Sequence, residues 1–420
     1  MPEKRARLSA ELVNLSILLY ILWLLIPAVQ TTGRAMTGAA CVALFALGVV
    51  LDWTYFKAHW ADLCLRALCA AVMPLLLRRF LSRGGTNFAG FYVQQAMFWF
   101  PLIYAGYARN RGDRRLWRGV KWALLFAVTL TVCTTIGWLI QGMLRGGKIY
   151  AYSRSLGYGG EGREAYLKEL MLRNIGGYDF VYAMAASLPL CLIGASIHTG
   201  WKRWAFAVLC ALQVIMIALS QYTYAMLFAA AVLAVEGLAL VIRCVSRGRI
   251  TLGKSLLWAV LPFVLAALFC QPLIALAATV CRSIGMNNFA FSFEQLLTAL
   301  QGGVTSADSR LGYYLTAIGG FAQSAVWGDL FGGAKQLSLH SDILDLLSGM
   351  GVLGAALVGG MVWLMGRGSL RGVRSHPQRA QLCVSAAVVF MTALLGTAVY
   401  SRDILTVAIL GAALVLEGEK

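Results

Sequence analysis

The residues best suited to chemistry lie between Ser309 and Gly354. Ser309-Arg310-Leu311-Gly312-Tyr313-Tyr314 sets a guanidinium one helical turn before two aromatic rings. Gln323-Ser324-Ala325-Val326-Trp327-Gly328 follows, and then Asp329-Leu330-Phe331-Gly332-Gly333. Leu339-His340-Ser341-Asp342-Ile343-Leu344-Asp345 opens an apolar run that contains Gly349-Met350-Gly351-Val352-Leu353-Gly354. Ser341 is a good helix N-cap, and Asp342 suits the first helical position, where the helix dipole favours a negative charge. His340 then stands at the mouth of a helix. The start of a helix offers backbone N–H groups and a positive dipole end, which suit a phosphate. The glycine steps permit close backbone approach.

These residues belong to a chain built for lipid. Of its 420 residues 60% are hydrophobic and 13% charged, which in water would expose large apolar patches. The composition predicts an all-α, polytopic integral membrane protein, a single membrane domain over 1–420. Apolar runs fall at 12–30, 35–52, 61–81, 88–108, 119–140, 179–198, 204–220, 223–242, 255–278, 346–365, 381–400 and 403–417. About twelve transmembrane helices of roughly 20 residues each fit that pattern.

The net charge of +18 lies mostly between the runs. Connectors after the even-numbered runs are basic: Arg109 to Lys121, Lys202-Arg203, Arg243 to Lys254, and Arg367 to Arg379. With Lys4, Arg5 and Arg7 at a cytoplasmic N-terminus, all of them fall inside and the C-terminus is cytoplasmic too. The cations would meet membrane lipid head groups, so no nucleic acid partner is implied. Arg78, Arg79 and Arg83 are the exception to this alternation and fall outside. Arg66 and Glu236, both inside runs, are costly unless paired, which makes them candidate partners in the cytoplasmic half of the membrane. The ten cysteines are scattered through apolar runs with no CxxC pair, so neither a disulfide framework nor a metal site is expected.

The same register leaves two long outer loops, at about 141–177 and 279–345. Connectors of that length tend to be functional. In the second, 291–300 and 311–326 read as short amphipathic helices lying against the membrane surface. No internal repeat or low-complexity segment is visible.

The outer segment resembles the O-antigen ligase and O-antigen polymerase superfamily of bacterial membrane glycan-assembly enzymes. Arg310, Trp327-Gly328, His340-Ser341 and Gly351-Val352-Leu353-Gly354 follow that family's pattern in order and spacing, and Arg173-Asn174-Ile175-Gly176-Gly177-Tyr178 resembles its outer-loop Arg-x-x-Gly element. The departure is at the tight turn Ser220-Gln221-Tyr222-Thr223, where the family commonly has Ser-Arg. Arg173 or Arg282 is a neighbouring cation that would replace it.

The resemblance implies glycosyl transfer from an undecaprenyl-diphosphate-linked glycan donor to a glycan or lipid acceptor, on the outer face of the bacterial cytoplasmic (inner) membrane. A leaving diphosphate is stabilised by fixed guanidiniums, and an acceptor hydroxyl needs a base or an orienting hydrogen bond. His340 is the expected base and Arg310 the first diphosphate clamp. Arg173 and Arg282 are secondary clamps, Asp342 or Asp345 orients His340, and Tyr313 and Tyr314 stack on sugars. No cofactor and no metal are implied. The missing turn arginine favours a polymerase over a ligase. The rival reading is a transporter or lipid-linked sugar flippase, for which twelve helices with both ends inside is a common plan.

Overall fold

The structure is a computed structural model that describes residues 2–65, 114–146, 163–246, 270–301, 306–328, 340–370 and 376–396, with isolated positions between 103 and 111, at 303 and between 401 and 411. Arg66, Arg78, Arg79, Arg83 and most of the third, fourth and ninth runs lie outside the described residues, as does the side chain of Arg310.

The described elements are all helical: α1 (Pro2–Leu25), α2 (Pro27–Leu51), α3 (Trp53–Ala58), α4 (Arg114–Gly146), α5 (Arg163–Leu172), α6 (Tyr178–Ile197), α7 (Trp201–Ser220), α8 (Thr223–Ser246), α9 (Cys270–Ser283), α10 (Asn287–Leu300), α11 (Ser306–Gln323), α12 (Asp342–Leu370) and α13 (His376–Leu395). Among the described residues six stretches are long and apolar enough to cross a membrane: Glu3–Leu25, Arg118–Gly142, Tyr178–Ile197, Trp201–Ser220, Thr223–Leu240 and Asp342–Gly360. Spans of this kind make the chain a membrane protein.

Two boundaries differ from the sequence reading. The first run does not continue to Gln30: α1 stops at Leu25, Ile26 turns extended, and Pro27 opens α2. Proline cannot donate to the preceding turn, whereas at the first position of a helix nothing is lost. The segment 141–177, expected as an outer loop, is also not irregular throughout. Its second half forms α5, whose REAYLKELML sequence is rich in helix formers.

Side-chain bonds fix the packing directions. Ser9 Oγ donates to Gly48 O (2.6 Å) and Ser16 Oγ to Cys41 O (2.7 Å), so α1 and α2 are antiparallel. A Cβ on Gly48 would fall 2.6 Å from Val13 Cγ2, which is why glycine stands at that crossing. Thr131 Oγ1 donates to Leu25 O (2.6 Å), while Gly119 faces Asn14. Partners climb together along α1 and α4, so those two are parallel. Gln213 Nε2 donates to Ser187 Oγ (3.0 Å), and Phe206 lies on Gly194, which sets α6 against α7 in opposite directions. Ser385 Oγ donates to Ala186 O (2.6 Å) and brings α13 alongside α6, also antiparallel. Glu236 on α8 accepts from Gln381 Nε2 on α13 (2.8 Å), which gives the membrane carboxylate a partner of its own.

α6 is the central helix, buried almost continuously from Phe180 to Gly194. Its Ala183, Ala185, Ala186, Ser187 and Gly194 are small enough for neighbours to approach closely, the usual device of helix packing in lipid. Pro189 interrupts its backbone bonding in a place where surrounding helices shield the freed carbonyl.

These directions sort the ends. The C-terminal ends of α1, α4, α7 and α13 gather with the N-terminal ends of α2, α6, α8 and α12. Together they form the loop end. The opposite, basic end holds Arg111, Lys121 and Lys202. There Arg111 pairs with Asp52 at 3.2 Å, both largely covered, and donates to Ala6 O.

Candidate functional site

The start of α12 forms as its residue types require. Ser341 Oγ accepts from the Leu344 N–H (3.2 Å), the bond of a serine N-cap. The Asp342 N–H donates to Gly396 O (3.1 Å), beyond the end of α13. Two N–H groups that would face a phosphate are thus already satisfied. Ser341, Asp342 and Asp345 are all buried. Two of the donors of the expected anion cradle at this helix start are therefore taken by the protein's own acceptors, and two carboxylates lie beside it.

His340 remains exposed, just outside that cap. Its ring meets Tyr313 of α11, with centroids 4.9 Å apart and planes inclined by 46°. Tyr314 does something different: its hydroxyl donates to Leu395 O (3.4 Å) and pins α11 to the end of α13. Of the two tyrosines expected to stack on sugars, Tyr313 is the exposed one. Arg310 is placed in α11 three residues before Tyr313, one turn away along the same helix.

Of the two glycine steps, Gly332-Gly333 lies outside the described residues, and Gly349 to Gly354 interlocks with Gly328. α12 is broken at Gly351, whose φ of 64° and ψ of −170° belong to a region used almost solely by glycine. The break frees the first N–H groups of the following half-helix. The turn after α11 supplies their acceptors: Val352 N–H donates to Ala325 O (2.8 Å) and Leu353 N–H to Val326 O (3.3 Å). Gly328, at φ 58°, completes the fit, because a Cβ there would lie 2.5 Å from the nitrogens of Met350 and Gly351. Trp327-Gly328 and Gly351 to Gly354 are one joint, and it fixes α11, with Tyr313, over His340.

Arg173 and Arg282 sit at the same end but are engaged. Arg173 pairs with Glu169 one turn earlier and lies over the Trp138 ring, 4.6 Å from its centroid. Arg282 pairs with Glu294 of α10. Both pairs are solvent-facing, so either guanidinium exchanges partners at little cost. The turn at Ser220 to Thr223 has α10 as a neighbour, because Thr223 Oγ1 and Ser292 Oγ lie 3.1 Å apart.

The segment after Arg173 is held rigidly. Asn174 takes a left-handed conformation (φ 57°), and its Nδ2 donates to Thr131 Oγ1 (3.3 Å) and Thr134 Oγ1 (3.0 Å). Thr134 Oγ1 donates to Asn174 O (2.8 Å), and the Gly176 N–H donates to Thr135 Oγ1 (2.8 Å). This threonine stripe on α4 was not singled out in the sequence. Its signal was an i, i+3, i+4 pattern of hydroxyls inside an apolar run. Sequence reasoning named Tyr178 and Tyr222 within longer motifs but passed over Tyr182 and the cluster the three rings form, within 6.0 Å of one another. A Cβ on Gly396 would fall 2.9 Å from the Tyr178 hydroxyl, so the cluster abuts the Gly396–Asp342 bond.

No family model, curated protein or solved structure matches this chain. The loop end presents an exposed imidazole against an exposed phenol ring, a neighbouring turn that carries Arg310, and two exchangeable guanidiniums. Such a set can orient a hydroxyl, accept its proton and neutralise a departing anion.

Proposed function

We propose that the protein is a membrane glycosyltransferase that polymerises or ligates undecaprenyl-diphosphate-linked oligosaccharides, in the manner of O-antigen polymerases and ligases. It would span the bacterial inner membrane about twelve times, with cytoplasmic termini and the loop end facing outward. The observation that carries the reading is the Tyr313–His340 contact, held by the Gly328–Gly351 joint. It unites motif pieces that are far apart in sequence.

In the proposed reaction an acceptor sugar hydroxyl attacks the anomeric carbon of the donor. The new glycosidic C–O bond forms as the C–O bond to the diphosphate breaks. Undecaprenyl diphosphate leaves with the electron pair, and His340 takes the hydroxyl proton. Arg310 stabilises the charge developing on the diphosphate, with Arg282 or Arg173 as a second cation. Tyr313 supplies a ring face for the acceptor sugar and holds the imidazole.

The test is complementation of polymerase-deficient and ligase-deficient strains with the wild type, His340→Ala and Arg310→Ala, each at matched membrane abundance. The wild type restores surface glycan in one strain, and both variants lose it. Equal restoration by all three would remove the catalytic assignment.

The break in α12 favours a second reading, because interrupted helices mark substrate sites in transporters. Against transport, the freed N–H groups of Val352 and Leu353 already have protein acceptors. Uptake of a lipid-linked sugar into vesicles that survives His340→Ala would favour that alternative.

A further inference from the structure

A cavity of about 50 Å³ lies between α4, α6 and α7, away from the loop end, and Lys121, Leu124, Val128, Cys191, Leu209 and Gln213 are among the residues lining it. Its walls are apolar nearly throughout. From Lys121 to Val128 it follows α4 for about 10 Å. Most lining residues are buried, whereas Lys121 and Leu125 are only partly covered, which gives the cavity an exit between helices.

The rim of that exit is cationic and aromatic. Lys121 Nζ stands 3.1 Å from His198 Nε2 and 5.6 Å from the Phe206 ring centroid, and the His198 ring stacks on Phe206. Lys202 is close enough to disfavour a charge on His198. Among the described residues neither Lys121 nor Lys202 has an acidic partner. Beside them Trp122 and Trp201 stack 6.1 Å apart and both are exposed. Exposed tryptophans at helix ends mark the head-group level of a bilayer.

We propose that this cavity is a binding site for one anionic phospholipid. Its phosphate lies between Lys121 and Lys202, and the first few methylenes of one acyl chain enter along Leu124 and Leu125, the rest of the chain lying in the bilayer. The shape, apolar within and doubly cationic at the rim, complements an amphiphile with a charged head. A free phosphate would leave the apolar part empty, and a zwitterionic lipid would leave the second lysine uncompensated. The site lies at the end opposite His340, so it stands or falls apart from the glycosyl-transfer reading.

The full-length protein in mixed-lipid nanodiscs, transferred to detergent and examined by native mass spectrometry, tests this. Wild type retains phosphatidylglycerol in preference to phosphatidylcholine. Lys121→Gln and Lys202→Gln each weaken retention about fivefold, the effect expected of one cation at a charged lipid surface. Lys121→Arg preserves retention, and Cys191→Phe, which fills the cavity, abolishes it while leaving the lysines in place. Equal retention of phosphatidylglycerol by wild type and Lys202→Gln, an exposed position that tolerates change, would overturn the proposal. So would equal retention of phosphatidylcholine by the wild type, or complete displacement by millimolar inorganic phosphate.

Discussion

Replacing Gly351 by alanine tests the joint that carries the site. The residue sits at φ 64° and ψ −170°, and holding a side chain there costs about 1–3 kcal/mol. The new Cβ would also overlap the Val326 carbonyl and lie 2.7 Å from Gly328 N. Both of those atoms are backbone, so no side-chain rotation relieves the clash. The turn must withdraw, and the Val352–Ala325 and Leu353–Val326 bonds are lost, at about 1 kcal/mol each. The expected loss is about 3–5 kcal/mol. Gly359→Ala is the matched control on the same helix, because a Cβ there meets nothing within 4 Å. Alanine in a helix interior is favoured over glycine by about 0.5–1 kcal/mol, so the control should hold or gain stability. Thermal unfolding of both variants in detergent, followed by tryptophan fluorescence, supplies the comparison. Equal midpoints for Gly351→Ala and Gly359→Ala would refute the account of the joint.

Three further outcomes follow from the geometry. Thr135→Val removes the acceptor of the Gly176 N–H and should cost about 1–3 kcal/mol, read as a lower thermal midpoint. Glu294→Gln releases Arg282 and should change stability by less than about 1 kcal/mol; if Arg282 serves the diphosphate, the KM for the lipid donor falls, and an unchanged KM removes Arg282 from the site. His198 lies below its ordinary value of 6.5, chiefly through burial and then through Lys121 and Lys202. As pH falls through 6.5 the unfolded chain takes up this proton first, so the His198 contribution to stability declines, and it levels off below the folded value. Isotope-labelled histidine NMR should show a midpoint under 6.5 that rises in Lys121→Gln, and a midpoint at or above 6.5 in the wild type contradicts the arrangement.

The spans around α6, α7 and α8 were legible because their limits are punctuated: Gly177 before Tyr178, Gly200 before Trp201, and the Ser220–Tyr222 turn. The helices in the segment 279–345 were legible too, at 287–300 and 306–323 against the expected 291–300 and 311–326. Pro27 misled because hydropathy does not register backbone donors, so the run appeared to continue to Gln30. The Ser341 cap could be read from residue type alone. That the Asp342 N–H is claimed by Gly396 could not, since that contact joins residues over fifty positions apart. The interlock of Gly328 with Gly351 was hidden for the same reason: each glycine is locally unremarkable, and only their mutual approach gives them a purpose. The Arg173–Glu169 and Arg282–Glu294 pairs escaped because charge counting considers cations by region and not by partner.

The bond from Thr131 to the Leu25 carbonyl has a bearing on biogenesis. Leu25 ends a helix beside Pro27, and the hydroxyl that its oxygen receives belongs to a segment synthesised over a hundred residues later. The first hairpin therefore enters the bilayer short of a donor that arrives only with a later span. Until then that carbonyl favours a wetter depth, near the bilayer surface. Ribosome-stalled chains ending before Thr131 should thus expose Ile26 to water-soluble labels, and longer chains should shield it.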